Sequence, residues 1–127
     1  MPTTAFDAMH CSIARTADLV GDAWSLLILR DLFLGLTTFD ELHRDLGIAT
    51  NVLAARLDRL VAEGVLERRR YLERPPRHDY HLTAAGRDLF GVVLAMLAWG
   101  DRHRAAEGPP LVLTHDTCGS ACTPSVT

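Results

Sequence analysis

The sequence contains no lysine: its thirteen basic side chains are all arginine. Arginine suits phosphate recognition, because its planar guanidinium group forms paired hydrogen bonds and enters narrow grooves. A chain that is rich in alanine and free of lysine is also typical of a GC-rich genome. The absence of lysine is therefore compatible with a nucleic-acid partner but does not establish one.

The sequence also lacks an apolar run long enough to cross a membrane, and its N-terminus has no basic region followed by an apolar one. We therefore expect a cytoplasmic protein with no membrane partner. The 127 residues fit one domain, and 48% hydrophobic residues suffice for a small core. The three cysteines are expected to be thiols, because disulfide frameworks are rare in the cytoplasm.

Signatures of catalysis are missing as well. There is no glycine-rich phosphate loop, no nucleophile motif and no recognisable pair of carboxylates, and the six histidines are scattered. We predict that the protein is not an enzyme and that it needs no cofactor and no metal ion.

Positive charge is concentrated in the middle of the chain, although the net charge is −3. Residues 41–77 contain eight arginines and six acidic residues, so the excess of acid lies elsewhere. Between Arg68 and Arg77 there are five arginines and one glutamate. This distribution favours a nucleic-acid surface, because local charge matters more than the total.

Helix caps and apolar periodicity predict an α+β domain that is mostly α. Asp22 is expected to cap the second helix, and Thr38 with Glu41 forms a capping box for the third. After a short link, Thr50 is expected to cap the fourth. The predicted helices cover residues 11–20, a stretch after Asp22, a stretch after Thr38, residues 51–63 and a long helix from residue 84 to about 106.

Two short strands, at residues 65–71 and 78–82, are predicted after the fourth helix. Pro75 and Pro76 cannot lie in a central strand, so they belong to the tip of the connection. A helix, a short turn, a second helix and a basic hairpin follow the order of a winged helix-turn-helix. That fold places one helix in the DNA major groove, with the hairpin, or wing, beside it.

Candidate DNA-binding residues lie at the starts of the two motif helices, on the outward side of the second helix, and on the wing. Asparagine pairs with adenine, arginine pairs with guanine, and alanine contacts a thymine methyl group. Arg69 points away from its two neighbouring arginines, so the three cannot all contact DNA. The candidates are Thr38, Thr50, Asn51, Ala54, Ala55, Arg56, Arg59, Arg68, Arg70, Arg74 and Arg77.

Two alternatives compete with this interpretation. One is an ordinary solvated helix face with a solvated run of charge. The other is a winged helix used only for protein–protein contact. Such a module is expected to lack a basic wing tip and to have an apolar outer face on its second helix, and neither feature is present.

Several motifs together resemble the HxlR family of bacterial winged helix regulators, relatives of the MarR group, over residues 11–104. They are Cys11 before the first helix, Gly21-Asp22-Ala23-Trp24, Leu29-Arg30-Asp31-Leu32, Phe39-x-x-Leu42, Asn51-x-Leu53-x-x-Arg56-Leu57, Gly64-Val65-Leu66-x-Arg68 and Tyr80-x-Leu82-Thr83-x-x-Gly86. The sequence departs from the family in having Ser12 where many members have proline. Asp22-Ala23 replaces a basic residue before the tryptophan, and Thr50 replaces a common serine.

The resemblance implies a nucleoid-associated transcription factor, more often a repressor. It would be a homodimer built from the first and last helices and would bind a palindromic operator. Family members that respond to quinones, aldehydes or oxidants do so through an N-terminal cysteine, which corresponds to Cys11. A helix start, with His10 and Arg15 nearby in the sequence, favours a reactive thiolate. An inert buried thiol is the alternative.

Two further groups leave alternatives open. Trp24, Phe90, Met96 and Trp99 are candidates for an effector pocket between the DNA-binding core and the dimer helices, although such residues at helical spacing are more often core. His115, Cys118 and Cys122 belong to a poorly ordered tail, to a disulfide or, less readily, to a metal site, which normally needs four ligands. We expect a flexible lead over residues 1–10, one domain over 11–107 and the tail over 108–127.

Overall fold

The computed structural model describes residues 10–104 and the backbone of residues 113–114 and 121–122. The described helices are α1 (Ser12–Val20), α2 (Ala23–Phe33), α3 (Phe39–Leu46), α4 (Thr50–Ala62), α5 (Ala84–Asp88) and α6 (Phe90–His103). The described strands are β1 (Leu66–Leu72), β2 (Arg77–Leu82), β3 (Leu113–Thr114) and β4 (Ala121–Cys122). The chain divides into two compact units, residues 1–87 and residues 88–127. The predicted mostly α fold is confirmed.

Leucine-rich faces of α2, α3 and α4 form the core of the first unit together with the start of β1. The fully buried apolar side chains are Ile28, Leu29, Leu42, Leu53, Leu57, Leu60 and Leu66. On α4 they recur at helical spacing, as the sequence predicts. This burial fixes which side of α4 is left facing solvent.

Two of the predicted helix caps are confirmed. The backbone nitrogen of Ser25 donates a 3.0 Å hydrogen bond to Oδ1 of Asp22, which begins α2. At α3, the Glu41 nitrogen donates to Oγ1 of Thr38, and the Thr38 nitrogen donates to Oε1 of Glu41, both at 3.1 Å. This reciprocal pair is the predicted capping box.

The prediction that Thr50 caps α4 is wrong. Thr50 is the first residue of the helix, and Ala49 occupies the capping position without a side-chain hydrogen bond. The backbone nitrogen of Leu53 already donates to the carbonyl oxygen of Ala49 at 3.0 Å, so the helical pattern starts one residue earlier. The first-turn N–H groups of α4 therefore have no side-chain cap from Thr50.

Strands β1 and β2 form the predicted antiparallel hairpin, with residues 73–76 at its tip. A third segment, which no sequence pattern indicates, lies along β2: the Tyr80 nitrogen donates a 2.8 Å hydrogen bond to the Thr37 carbonyl oxygen, and Thr38 bridges Asp79. The wing is thereby attached to the residues that precede α3. Helices α3 and α4 followed by the β1–β2 hairpin confirm the predicted winged helix-turn-helix fold.

The single long C-terminal helix predicted from residue 84 to about 106 is wrong in detail. Thr83 caps α5, accepting a 3.1 Å hydrogen bond from the Gly86 nitrogen. Helix α5 ends at Asp88 and α6 begins at Phe90, so Leu89 interrupts the predicted helix. Gly86 and Gly91 flank this break, and glycine lowers helix propensity on both sides of it.

In the tail, β3 and β4 pair in antiparallel fashion. His115 and Cys118 lie outside the described residues, and only the backbone of Cys122 is described. The prediction made for these three side chains therefore stays a prediction.

Candidate nucleic-acid interface

The solvent side of α4 carries the residues predicted to read base edges. Thr50, Asn51 and Ala55 are exposed, and Ala54 is half-buried. They lie in the first half of the helix, which is the part that reaches base edges in helix-turn-helix proteins. The exposed side chains are short (a hydroxyl, an amide and a methyl group), so a helix here can approach a groove closely.

The wing tip carries two exposed arginines, Arg74 and Arg77. Neither side chain forms a hydrogen bond or an ion pair within the described residues. By contrast, Arg70 lies 3.5 Å from Glu73. Arg74 and Arg77 are thus the wing charges most available to a phosphate.

The two faces of the wing differ as the sequence predicts. Arg68 and Arg70 are paired in register with Tyr80 and His78, whereas Arg69 is paired with Asp79. Arg68 and Arg70 therefore share one face, and Arg69 lies on the other.

Each of these strand arginines has an acidic neighbour. Arg68 lies 3.7 Å from Asp58 of α4, and Arg69 donates a 3.2 Å hydrogen bond to Glu67. That hydrogen bond, with the charge of Arg69, lowers the pKa of Glu67 below its ordinary value. Arg69 is thus occupied on the face away from Arg68.

Arg56 and Arg59 of α4 have intramolecular partners as well. Arg56 Nε donates a 3.1 Å hydrogen bond to Oδ1 of Asp22. Arg59 donates to the backbone oxygen of Asp18 at 2.9 Å and to Oδ2 of the same residue at 2.7 Å. Partial burial alone would raise the pKa of Asp22, but hydrogen bonds from Ser25 and Arg56 outweigh it and lower the pKa below 3.8. Both arginines are thus turned toward α1 and the start of α2.

Thr38 lies where α3, the wing and solvent meet. Its amide, its hydroxyl and the amide of Thr37 all donate to Glu41, and these hydrogen bonds lower the pKa of that carboxyl. The first turn of α3 is therefore internally capped.

A cleft of about 250 Å³ lies between the start of α3 and the wing. Its lining consists of Thr38, Phe39, Asp40, Tyr71, Pro76, Arg77, His78 and Tyr80. Tyr71 reaches this position because the pairing of β1 with β2 shifts between Arg70 and Leu72. No alternation pattern in the sequence marks that irregularity, so Tyr71 was not predicted as part of the interface.

Asp31 is a buried charge at the end of α2, next to the helix-turn-helix. Its side chain is 0% exposed, and Oδ1 accepts a 3.0 Å hydrogen bond from Arg30, which also reaches Asp45 of α3 at 3.3 Å. Burial, with the nearby carboxylate of Asp45, raises the pKa of Asp31 from 3.8 to about 6. Nothing in the sequence around this acid marks it as titratable.

The candidate sensor and effector residues lie at α1, α2 and α6. Cys11 is an exposed free thiol at the N-cap position of α1. Trp24 lies on α2, and three candidates lie on α6 with large exposed fractions: 43% for Phe90, 51% for Met96 and 57% for Trp99. At the end of α6, Arg104 lies 5.5 Å from the Trp99 ring centroid.

Within residues 10–104, no group of three or more His, Cys, Asp or Glu side chains is arranged to hold a metal ion. None of the described helices combines the length and the hydrophobicity needed to span a membrane.

Comparison with known proteins places this geometry in a family. A family model described as HxlR-like helix-turn-helix matches residues 19–107. An uncharacterized HTH-type transcriptional regulator of Mycobacterium tuberculosis is 46% identical over 114 residues, which cover 89% of this chain and 72% of the relative.

Two solved structures are similar over most of the chain. The candidate transcription factor PA1607 has a TM-score of 0.87 at 37% identity, covering 98% of this chain and 87% of its own. The redox regulator HypR, in its reduced form, has a TM-score of 0.70 at 32% identity, covering 74% of this chain and 94% of its own.

The exposed helix α4, the basic wing and the fold that joins them define a winged helix-turn-helix DNA-binding protein. The chain belongs to the HxlR family, and it is a transcriptional regulator of the helix-turn-helix type.

Proposed function

We propose that this regulator binds a palindromic operator as a homodimer and represses transcription by occupying a promoter. The observation that carries the proposal is that short, exposed side chains at the start of α4 occur together with two wing-tip arginines that have no acidic partner among the described residues. The side chains at the start of α4 suit base edges in the major groove. The wing-tip arginines suit phosphates or the narrow minor groove beside it.

Specific roles follow from chemistry and position. Asn51 is proposed to pair with a base edge, and Ala55 to contact a thymine methyl group, with Thr50 and Ala54 beside them. Arg74 and Arg77 are proposed to bind phosphates. Arg68, Arg70 and Thr38, which lie nearer the base of the wing, are proposed to contact the DNA backbone on the same side.

A second copy of the chain is proposed to cover the apolar face of α6. Gly91, Val92, Ala95, Met96 and Trp99 form an apolar surface depression on this helix. Exposed apolar patches of this kind mark interaction surfaces, and twofold symmetric pairing is the commonest solution. Twofold pairing would also explain a palindromic operator, because each half-site then receives one α4.

Release from DNA is proposed to depend on Cys11 or on a small molecule. The thiol is exposed at the start of α1, and HypR is described as a redox regulator. Oxidants and quinones should therefore weaken operator binding by the unaltered protein and leave Cys11→Ser unaffected. An equal response of both proteins would place the sensor elsewhere. Trp24, Phe90, Met96 and Trp99 remain the proposed effector residues.

Selection of binding sites from a random duplex library tests the proposal, because it identifies the operator sequence and measures its symmetry together. The expected result is enrichment of an inverted repeat whose half-sites are about one helical turn apart. Enrichment of a single half-site would argue against the homodimer but not against sequence-specific binding. If no sequence is enriched although the protein is folded, the fold would serve contact with another protein instead.

A further inference from the structure

Two arginines on one flank of α4 are bound to the corner where α1 meets α2. Arg59 reaches Asp18 with two hydrogen bonds, at 2.9 Å to the carbonyl oxygen and 2.7 Å to the carboxylate. Arg56 reaches Asp22 at 3.1 Å. Because Arg56 and Arg59 are three residues apart, they lie on the same side of the helix.

The Asp22 carboxylate joins two elements at once. Oδ1 accepts hydrogen bonds from the Ser25 nitrogen at 3.0 Å and from Arg56, and Oδ2 accepts one from the Ser25 hydroxyl at 2.7 Å. The group that begins α2 therefore also holds the side of α4. A rotation of α4 about its axis would break the contact with Arg56 or disturb the cap.

These contacts are better suited to fixing the orientation of α4 than to increasing the free energy of unfolding. The arginine side chains and their partners are partly exposed, and ion pairs of that kind contribute little to the free energy of unfolding. A guanidinium group with two fixed acceptors, as Arg59 has, nevertheless restricts the orientation of the helix that carries it.

We propose that Asp18 and Asp22 are positioning residues, which hold Arg59 and Arg56 and thereby set the angle at which α4 presents Asn51 and its neighbours to DNA. The proposal rests on the proposed function, namely sequence-specific binding through α4. It assigns Arg56 and Arg59 an indirect role, whereas the sequence pattern predicts that both contact DNA.

The salt dependence of binding distinguishes a positioning arginine from an arginine that contacts a phosphate. The charge of Arg59 is compensated by Asp18, whereas Arg77 has no described ion partner. A phosphate contact releases counterions, so its loss reduces the salt dependence of binding by about one unit. Loss of a positioning arginine leaves that slope unchanged and lowers the preference for the operator over other sequences.

The test measures affinity for the selected operator and for a scrambled duplex over a salt series. The variants are Asp18→Asn, Asp22→Asn, Arg56→Gln, Arg59→Gln and the charge exchange Asp18→Arg with Arg59→Asp. Glu63→Gln is the matched control, because it removes an exposed acid near the end of α4 without breaking a described ion pair. Thermal unfolding of each variant separates loss of folding from loss of positioning.

We expect the single neutralisations to lower the operator-to-scrambled affinity ratio by roughly three- to tenfold, the lower range of couplings between neighbouring residues. The salt slope and the melting temperature should stay close to those of the unaltered protein. Glu63→Gln should keep the ratio, and the charge exchange should restore much of it. Asp18→Asn keeps every helix cap, so it tests positioning even if Asp22→Asn unfolds α2.

Three results would overturn the proposal. If Arg59→Gln weakens both duplexes equally with a smaller salt slope, and Asp18→Asn does not change the ratio, Arg59 is a phosphate contact. If the unaltered protein itself shows no preference for any sequence, the proposed function fails and positioning for sequence reading fails with it. If the unaltered protein binds the operator selectively but Asp18→Asn and Asp22→Asn leave the affinity ratio unchanged, the positioning role fails while the proposed function stands.

Discussion

Gly86 lies against the carbonyl oxygen of Val65 so closely that a Cβ atom on Gly86 would be 2.2 Å from that oxygen. Thr83 binds the same region, donating from its hydroxyl to the carbonyl oxygen of Gly64 at 2.6 Å. The start of α5 is thereby attached to the end of α4 and the base of the wing. Only glycine permits this approach, which gives the glycine of the Thr83-x-x-Gly86 motif a steric explanation.

Gly86→Ala is expected to destabilise the protein by about 2 kcal/mol or more, because the backbone at Val65 must move or α5 must detach. Denaturant unfolding measures the change. Gly100→Ala is the control, since apart from its chain neighbours and the backbone of its own helix no atom of the described residues lies within 4 Å of a Cβ there, and alanine favours a helix. Equal stability of Gly86→Ala and the unaltered protein would mean that the close approach is not maintained in solution.

Because of Asp31, the free energy of unfolding should fall as the pH rises from about 4 to about 6. Its pKa is raised from 3.8 to about 6, so in this window the folded state holds a proton that the unfolded state has lost. Acidification through the window therefore stabilises the fold, by an amount on the order of 2 kcal/mol. Asp22, Glu41 and Glu67, whose pKa values are lowered, act in the opposite direction at lower pH.

Unfolding free energies of the unaltered protein and of Asp31→Asn, measured from about pH 4.5 to about pH 7.5, test this expectation. The asparagine variant should lack the decline and should be the more stable protein at the upper end of the range. Asp45→Asn should retain a smaller decline, because it removes only the neighbouring carboxylate. Parallel curves for Asp31→Asn and the unaltered protein would contradict the assignment to Asp31.

Arg77→Ala is expected to weaken binding to operator and scrambled duplexes alike and to reduce the salt slope by about one unit. Fluorescence anisotropy over a salt series measures both quantities. Arg77→Lys is the matched control, because it keeps the charge near the phosphate and should keep the slope. An unchanged affinity and slope in the alanine variant would remove Arg77 from the interface.

Met96→Glu should dissociate the proposed dimer, because it places a charge on the apolar face of α6. Sedimentation velocity should give a monomer for this variant and a dimer for Met96→Leu, which preserves the apolar surface. Operator affinity should fall with the dimer. A monomeric unaltered protein, or a dimeric Met96→Glu variant, would place the interface away from this face.

Much of the DNA-binding unit was predictable because its signals are local. The capping box of Thr38 and Glu41, the leucine spacing of α4 and the alternation of Arg68 and Arg70 each depend on residues within a few positions of one another. Each of these predictions is confirmed by the structure.

Features that depend on distant residues were not predictable from those signals. The pairing of Arg59 with Asp18 joins residues 41 positions apart, and no sequence pattern distinguishes it from a DNA contact. The segment at Thr37 lies along β2 through a backbone hydrogen bond to Tyr80. The break at Leu89 lies between Gly86 and Gly91, which lower helix propensity, and apolar periodicity alone does not locate such an interruption.

The central claim is that α4 reads a DNA sequence through its first turns. The most direct test is the anisotropy of Asn51→Ala and of the unaltered protein on the selected operator and on operators with single base changes. We predict that the unaltered protein discriminates by about 1–3 kcal/mol at one position per half-site and that Asn51→Ala loses this discrimination at that position only. Equal binding of the unaltered protein to operator and altered duplexes, at every salt concentration, would contradict the claim.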